Sequence, residues 1–75
     1  MNYGALVEMV GLGDEYDFTY NNDDYWISCN QNGHHLTRVR DSHTQSFKTT
    51  DELFADGRIE GKTIADIWDD ISDQF

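Results

Sequence analysis

The spacing of hydrophobic residues changes twice along the chain, and each change marks a different kind of secondary structure. The N-terminal segment has apolar residues at helical spacing, which predicts a short helix that ends near Gly11 and Gly13. Its apolar positions are Tyr3, Leu6, Val7 and Val10. From Asp14 onward the period becomes two, as in the segments YDFTY and YWISC. This alternation predicts strands at about residues 15–20, 25–31, 34–40 and 43–48.

Turn residues between the strands predict an antiparallel meander. Asn32-Gly33 is a hairpin signal, because both residues tolerate the positive φ that a tight two-residue turn requires. The predicted turns are centred on Asn22-Asp23, Asn32-Gly33 and Asp41-Ser42. The resulting pairs include Phe18 with Ile27, Cys29 with Leu36, Trp26 with Val39 and Leu36 with Phe47. All three turns send the large apolar residues to one face of a four-stranded sheet.

Helical signals return after the last strand. Thr49 and Glu52 have capping-box spacing, and Gly57 follows as a stop, so a short helix is expected between them. Thr63 is the expected cap of a final amphipathic helix. Its apolar stripe consists of Ile64, Ile67, Trp68, Ile71 and Phe75. We therefore predict one α+β domain over residues 1–75, with a short N-terminal helix, a four-stranded antiparallel β-meander, and the C-terminal helix packed on one face of the sheet.

Composition limits what such a domain does. Hydrophobic residues make up 37% of the chain, with four Phe, four Tyr and two Trp, which is typical of a folded protein. The formal net charge is −10, so the protein has a strongly negative field that disfavours DNA, RNA and anionic lipid as direct ligands. No apolar run reaches the length of a membrane span, and no signal peptide is recognisable. We expect a cytoplasmic protein without membrane contact.

No pattern in the chain is typical of a catalytic or metal site. Gly61-Lys62-Thr63 ends like a phosphate-binding loop, but Asp56 occupies the position that must be glycine. His34 and His35 are adjacent on a predicted strand and point to opposite faces, and Cys29 is expected in the core. We therefore expect no enzyme activity, no cofactor and no bound metal.

A basic strip interrupts the acidic chain between residues 34 and 48. It contains Arg38, Arg40, Lys48 and three histidines against the single acid Asp41. Two of its three Lys and Arg side chains share the predicted core face, where pairing with acids of the covering helices is the expected use. The negative charge elsewhere argues against nucleic-acid binding by this strip.

The final helix carries four aspartates on the side opposite its apolar stripe. They are Asp66, Asp69, Asp70 and Asp73. Like charges four residues apart, and acids near a helix C-terminus, both reduce helix stability. Two interpretations stay open: a solvated face that keeps the protein soluble, or a contact surface for a basic partner.

Trp26 is the second candidate for partner binding. Alternation places it on the sheet face away from the core, where it either anchors an interface or is covered by the N-terminal helix. Two functions follow. The first hypothesis is a small acidic non-enzymatic inhibitor that mimics nucleic acid and occupies the basic nucleic-acid-binding surface of a partner protein. Alternatively, it is a protein–protein interaction module that binds through Trp26, with the acids serving only solubility. In charge and size alone, the chain resembles phage-encoded inhibitors that imitate nucleic acid.

Overall fold

A computed structural model describes all 75 residues and confirms the predicted α+β fold. The elements, in chain order, are helix α1 (Tyr3–Gly11), strands β1 (Tyr16–Tyr20), β2 (Asp23–Asn30), β3 (Gly33–Arg38) and β4 (His43–Phe47), helices α2 (Thr50–Asp56) and α3 (Ile64–Ile71), and a 3₁₀ turn at Ser72–Gln74. The strands form one antiparallel sheet in the order β1-β2-β3-β4. No helix is both long enough and apolar enough to span a membrane.

The strand register differs from the prediction by two residues in every hairpin. Phe18 pairs with Tyr25 rather than with Ile27, and Leu36 pairs with Ile27 rather than with Cys29. On its other side Leu36 pairs with Gln45 and not with Phe47. Each turn is centred one residue earlier than predicted. A shift of two residues keeps every side chain on its predicted face, so the assignment of the core survives the error in register.

The geometry of the first two turns explains the shift. Asn21 and Asn22 both have positive φ, at 50° and 67°, so they are the two central residues of the β1–β2 hairpin. In the β2–β3 hairpin the loop residues are Gln31 and Asn32, and Gly33 already begins β3 with φ 131°. Asparagine adopts positive φ more readily than other non-glycine residues, and this allows the β1–β2 turn to be tight.

All three helices pack on the same face of the sheet. The core between the two layers contains Leu6 and Val10 from α1, Leu53 and Phe54 from α2, Ile59, and Ile64, Ile67 and Ile71 from α3, against Phe18, Tyr20, Tyr25, Ile27 and Leu36 from the strands. Tyr3 of α1 contacts Phe54 and Trp68 edge-on, with ring centroids 5.7 and 5.9 Å apart. These contacts place α1 beside α2 and α3, and leave the other face of the sheet without a covering helix.

Two glutamine side chains attach the helical layer to the edges of the sheet. The Gln74 amide accepts a hydrogen bond from the Thr19 N–H at 2.7 Å and donates one to the Thr19 carbonyl at 2.8 Å. At the opposite edge the Gln45 amide makes the same pair of bonds with the backbone of Arg58, at 2.8 and 2.7 Å. The Gln74 amide takes the hydrogen-bonding place of an additional strand at the β1 edge, whereas the Gln45 amide connects β4 to the loop after α2.

Candidate functional site

The start of α3 fixes the first of the four predicted aspartates in place. The Thr63 hydroxyl accepts a hydrogen bond from the Asp66 N–H at 3.1 Å, and the Asp66 carboxylate accepts one from the Thr63 N–H at 3.0 Å. This capping box satisfies two backbone groups that the helix itself leaves unpaired. The hydrogen bond from the Thr63 backbone lowers the pKa of the Asp66 carboxyl. Asp66 therefore has a structural role that its predicted place on an unpaired acidic face did not include.

The other three aspartates are free. Asp69, Asp70 and Asp73 are exposed and make no side-chain hydrogen bond or ion pair. Because Ile64, Ile67 and Ile71 of α3 are buried against the sheet, the carboxylates of Asp69 and Asp70 point away from it, and the exposed Asp73 follows in the 3₁₀ turn. With Asp66 they form what we call the α3 acidic face.

Few acids anywhere in the molecule are neutralised by a neighbouring cation. Only two of the fifteen Asp and Glu residues form ion pairs, Asp41 with Arg38 at 2.7 Å and Asp23 with Arg40 at 3.5 Å. Arg58 instead donates to the carbonyls of Ala55 and Gly57 at the end of α2. Most of the negative charge is therefore not balanced by ion pairs within the molecule.

The basic strip does not pair with the helices as predicted. Arg38 donates two hydrogen bonds to Asp41, at 3.0 and 2.7 Å, within the turn between β3 and β4. These bonds hold the pKa of Asp41 well below its usual value. The fork geometry of a guanidinium matches a carboxylate three residues away in a tight turn, so the local partner is favoured over an acid on a distant helix.

Trp26 lies on the uncovered face of the sheet. Its residue exposure is 43%, high for a large aromatic side chain near the middle of a sheet. The proposal that the N-terminal helix covers it is wrong, since α1 packs on the opposite face. The row across the sheet at this level is Asp17, Trp26, Thr37 and Thr44. We call this surface, with Thr19 and Asp24 in the next row, the Trp26 face.

Two carboxylates beside Trp26 were missed by sequence reasoning. Asp17 is directly opposite Trp26 on β1, whereas the predicted register placed Thr19 there. Asp24 precedes Trp26 by two residues and so shares its face, where it accepts a hydrogen bond from the Thr19 hydroxyl at 2.8 Å. Asn21 and Asn22 are both compatible with positive φ, so the residue types in this turn do not by themselves distinguish the two registers.

The histidines and the cysteine do not come together. His34 contacts the Thr50 hydroxyl at 3.2 Å on the core side, whereas His35 contacts Ser46 and Asn30 on the Trp26 face. Cys29 is half-buried rather than fully buried, with its Sγ 3.4 Å from the Gly13 carbonyl oxygen. No group of three or more His, Cys, Asp or Glu side chains has the arrangement to hold a metal ion.

Comparison with protein-family models, with curated proteins and with solved structures finds no match to this chain. The α3 acidic face and the Trp26 face are therefore the two surfaces of the molecule with features of a binding site. Because the helices and the sheet form two layers, these surfaces lie on opposite sides of a molecule whose Cα trace measures 30 × 28 × 18 Å. A flat partner surface can contact one of them but not both.

Proposed function

We propose that the protein is a non-enzymatic inhibitor that uses the α3 acidic face to occupy the basic nucleic-acid-binding surface of a cytoplasmic partner protein. The observation that carries this proposal is the row of free carboxylates on α3, which no cation of the chain neutralises. Opposite charges on two surfaces steer association and make it sensitive to salt.

The charge density along α3 supports the comparison with nucleic acid. From Asp66 in α3 to Asp73 in the following 3₁₀ turn the chain rises by about 11 Å, and four carboxylates lie within that length. One strand of duplex DNA presents about three phosphates over the same distance. A basic groove built to contact successive phosphates therefore meets a similar linear density of negative charge on this helix.

The experiment is capture of proteins from a cell lysate on the immobilised protein, at sodium chloride concentrations from about 20 to about 300 mM. We expect a nucleic-acid-binding protein to be retained at low salt and released by excess duplex DNA. The Asp69→Asn, Asp73→Asn double variant should lose most of this retention. The control is Glu8→Gln with Glu15→Gln, which removes the same charge from exposed side chains without hydrogen bonds or ion pairs.

Three results would count against the proposal. One is retention of no basic protein at low salt. Another is retention that duplex DNA does not reverse. The third is equal loss in both double variants, which would mean that net charge matters and the position of the carboxylates does not.

A second candidate function is supported by the exposure of Trp26. An exposed tryptophan on a sheet face without a covering helix has the properties of an interface anchor, and this would make the protein an interaction module whose acids serve solubility. Trp26→Ala should then abolish partner binding, and Asp69→Asn with Asp73→Asn, which leaves the capping box intact, should not affect it. The opposite pattern would favour the acidic face.

A further inference from the structure

We propose that the Trp26 face is a docking site for an arginine side chain of a basic protein, with the guanidinium stacked on the indole and paired with Asp17 and Asp24. The inference shares with the proposed function the requirement for a basic partner, but it assigns a separate surface and a specific side chain.

The placement of the three side chains follows from the register. Asp17 and Trp26 are direct cross-strand neighbours, so their Cβ atoms are about 5 Å apart on one face. Asp24 and Trp26 are two residues apart on β2, about 7 Å along the strand. The indole therefore has a carboxylate across from it and another along the strand.

Both carboxylates are available to an incoming cation. No Lys or Arg side-chain nitrogen lies within 4 Å of either carboxylate, and Arg40 pairs with Asp23. The Thr19 hydroxyl holds one oxygen of Asp24 and thereby orients this side chain on the face. Both carboxylates also line a depression of about 350 Å³ together with Thr19, Val39 and Gln74, and Trp26 lies outside that lining.

The chemistry of this surface selects its occupant. A tryptophan ring attracts cations to its face, and a guanidinium combines that stacking with hydrogen bonds to carboxylates in its own plane. A second copy of this chain is disfavoured, because pairing two Trp26 faces would bring Asp17 and Asp24 of both copies together on two bodies that each carry −10. The same carboxylates repel the phosphates of a nucleic acid or an anionic membrane.

The test is a nitrogen–proton correlation NMR titration of the full chain with a hexa-arginine peptide, with hexa-citrulline as the uncharged control of equal shape and hexa-lysine as the point-charge control. The indole N–H signals of the two tryptophans are separate reporters. Trp68 lies in an aromatic cluster with Tyr3 and Phe75 in the helical layer, so it reports on contacts away from the proposed site.

We expect hexa-arginine to shift the Trp26 indole signal saturably and to leave Trp68 unchanged. Hexa-citrulline should give no shift, and hexa-lysine should bind several-fold more weakly. Asp17→Asn with Asp24→Asn should raise the Kd at Trp26 about fivefold. Asparagine at position 24 keeps an acceptor for the Thr19 hydroxyl, so this variant retains the local fold. Asp69→Asn with Asp73→Asn should change the Kd less than twofold.

Each contrary outcome has a distinct meaning. Shifts confined to Asp69, Asp70 and Asp73 would overturn this inference and support the proposed function. Shifts of all acidic residues without saturation would indicate non-specific attraction between the peptide and the acidic surface, and would overturn this inference. The absence of any shift would count against both proposals. Equal binding of hexa-lysine would overturn the assignment of arginine. A Trp26 signal that moves with protein concentration alone would show that a second copy is the occupant.

Discussion

Raising the salt concentration should stabilise this protein, because most of its acidic side chains have no cationic partner. With a net charge of −10 on 75 residues, the folded state concentrates repulsion that the unfolded chain spreads over a larger volume. Salt screens both states, but it relieves the compact one more. The two ion pairs of the structure act in the opposite direction, and they are too few to reverse the effect.

The magnitude follows from the size of the molecule. A Cα radius of gyration of 11.2 Å corresponds to a charged sphere of about 16 Å radius once side chains are included. The work of charging that sphere falls from about 8.5 to about 5 kcal/mol as the Debye length shortens from about 30 to about 10 Å. For an unfolded chain with a radius of gyration of about 27 Å, the corresponding fall is only about 1.5 kcal/mol. The difference is a gain of about 2 kcal/mol in the free energy of unfolding.

Thermal unfolding followed by circular dichroism at about 10 and about 100 mM sodium chloride measures this gain. A stabilisation of about 2 kcal/mol corresponds to a rise in Tm of about 10 °C for a domain of this size. The Asp69→Asn, Asp73→Asn variant should show a smaller rise, since the charging work varies with the square of the net charge. An unchanged or lower Tm at the higher salt would refute the reasoning and show that the acids are compensated within the fold.

Three further predictions test the core, a turn and an ion pair. Ile67→Ala removes a fully buried side chain of α3 and should cost about 2–5 kcal/mol in urea unfolding, where a loss below about 1 kcal/mol would show that α3 packs loosely. Gly33→Ala should destabilise by more than about 1 kcal/mol in the same assay, because its φ is 131° and a Cβ there would lie 2.2 Å from the Phe47 carbonyl oxygen. A near-neutral effect would contradict the turn geometry. Arg38 lowers the folded-state pKa of Asp41 below its ordinary value of 3.8. The ionised carboxylate therefore contributes its full stabilisation above about pH 4, and this stabilisation is lost as the pH falls through the folded-state pKa. The difference in stability between wild type and Asp41→Asn should therefore shrink below pH 4, and a difference independent of pH would exclude the ion pair as its source.

The architecture could be predicted because its signals are local and redundant. Alternation in β1 and β2, the caps at Thr49 and Thr63, and the apolar stripe of α3 each indicate the same two-layer arrangement. The burial of one sheet face depends only on whether a position is odd or even within its strand. An error of two residues in the register therefore left the predicted core intact.

The surroundings of the candidate site could not be predicted in the same way, because they depend on the exact register. Whether Asp17 or Thr19 lies opposite Trp26 is decided by which asparagine begins the turn, and both Asn21 and Asn22 tolerate the required backbone conformation. The position of α1 was also undecided from sequence. Its apolar stripe fits either face of the sheet, and only the contacts of Tyr3 with the aromatic residues of α2 and α3 place it.

The acids along α3 differ in their effect on the stability of the helix. Asp66 is in the first turn, where a carboxylate stabilises the helix end through the capping box, whereas Asp69 and Asp70 are in the last turn and oppose the helix dipole. Acidic residues at positions where they do not destabilise the helix would make the protein equally soluble. Replacing Asp69 and Asp73 with asparagine removes one like-charge pair as well as the unfavourable dipole interaction, so the double variant should be more stable than wild type by a few tenths of a kcal/mol. Urea unfolding of both proteins measures that difference. If this variant is at least as stable as wild type and yet no longer binds its partner, the two carboxylates contribute to the contact surface. A destabilised variant would mean instead that they support the fold in a way that their free, exposed positions do not explain.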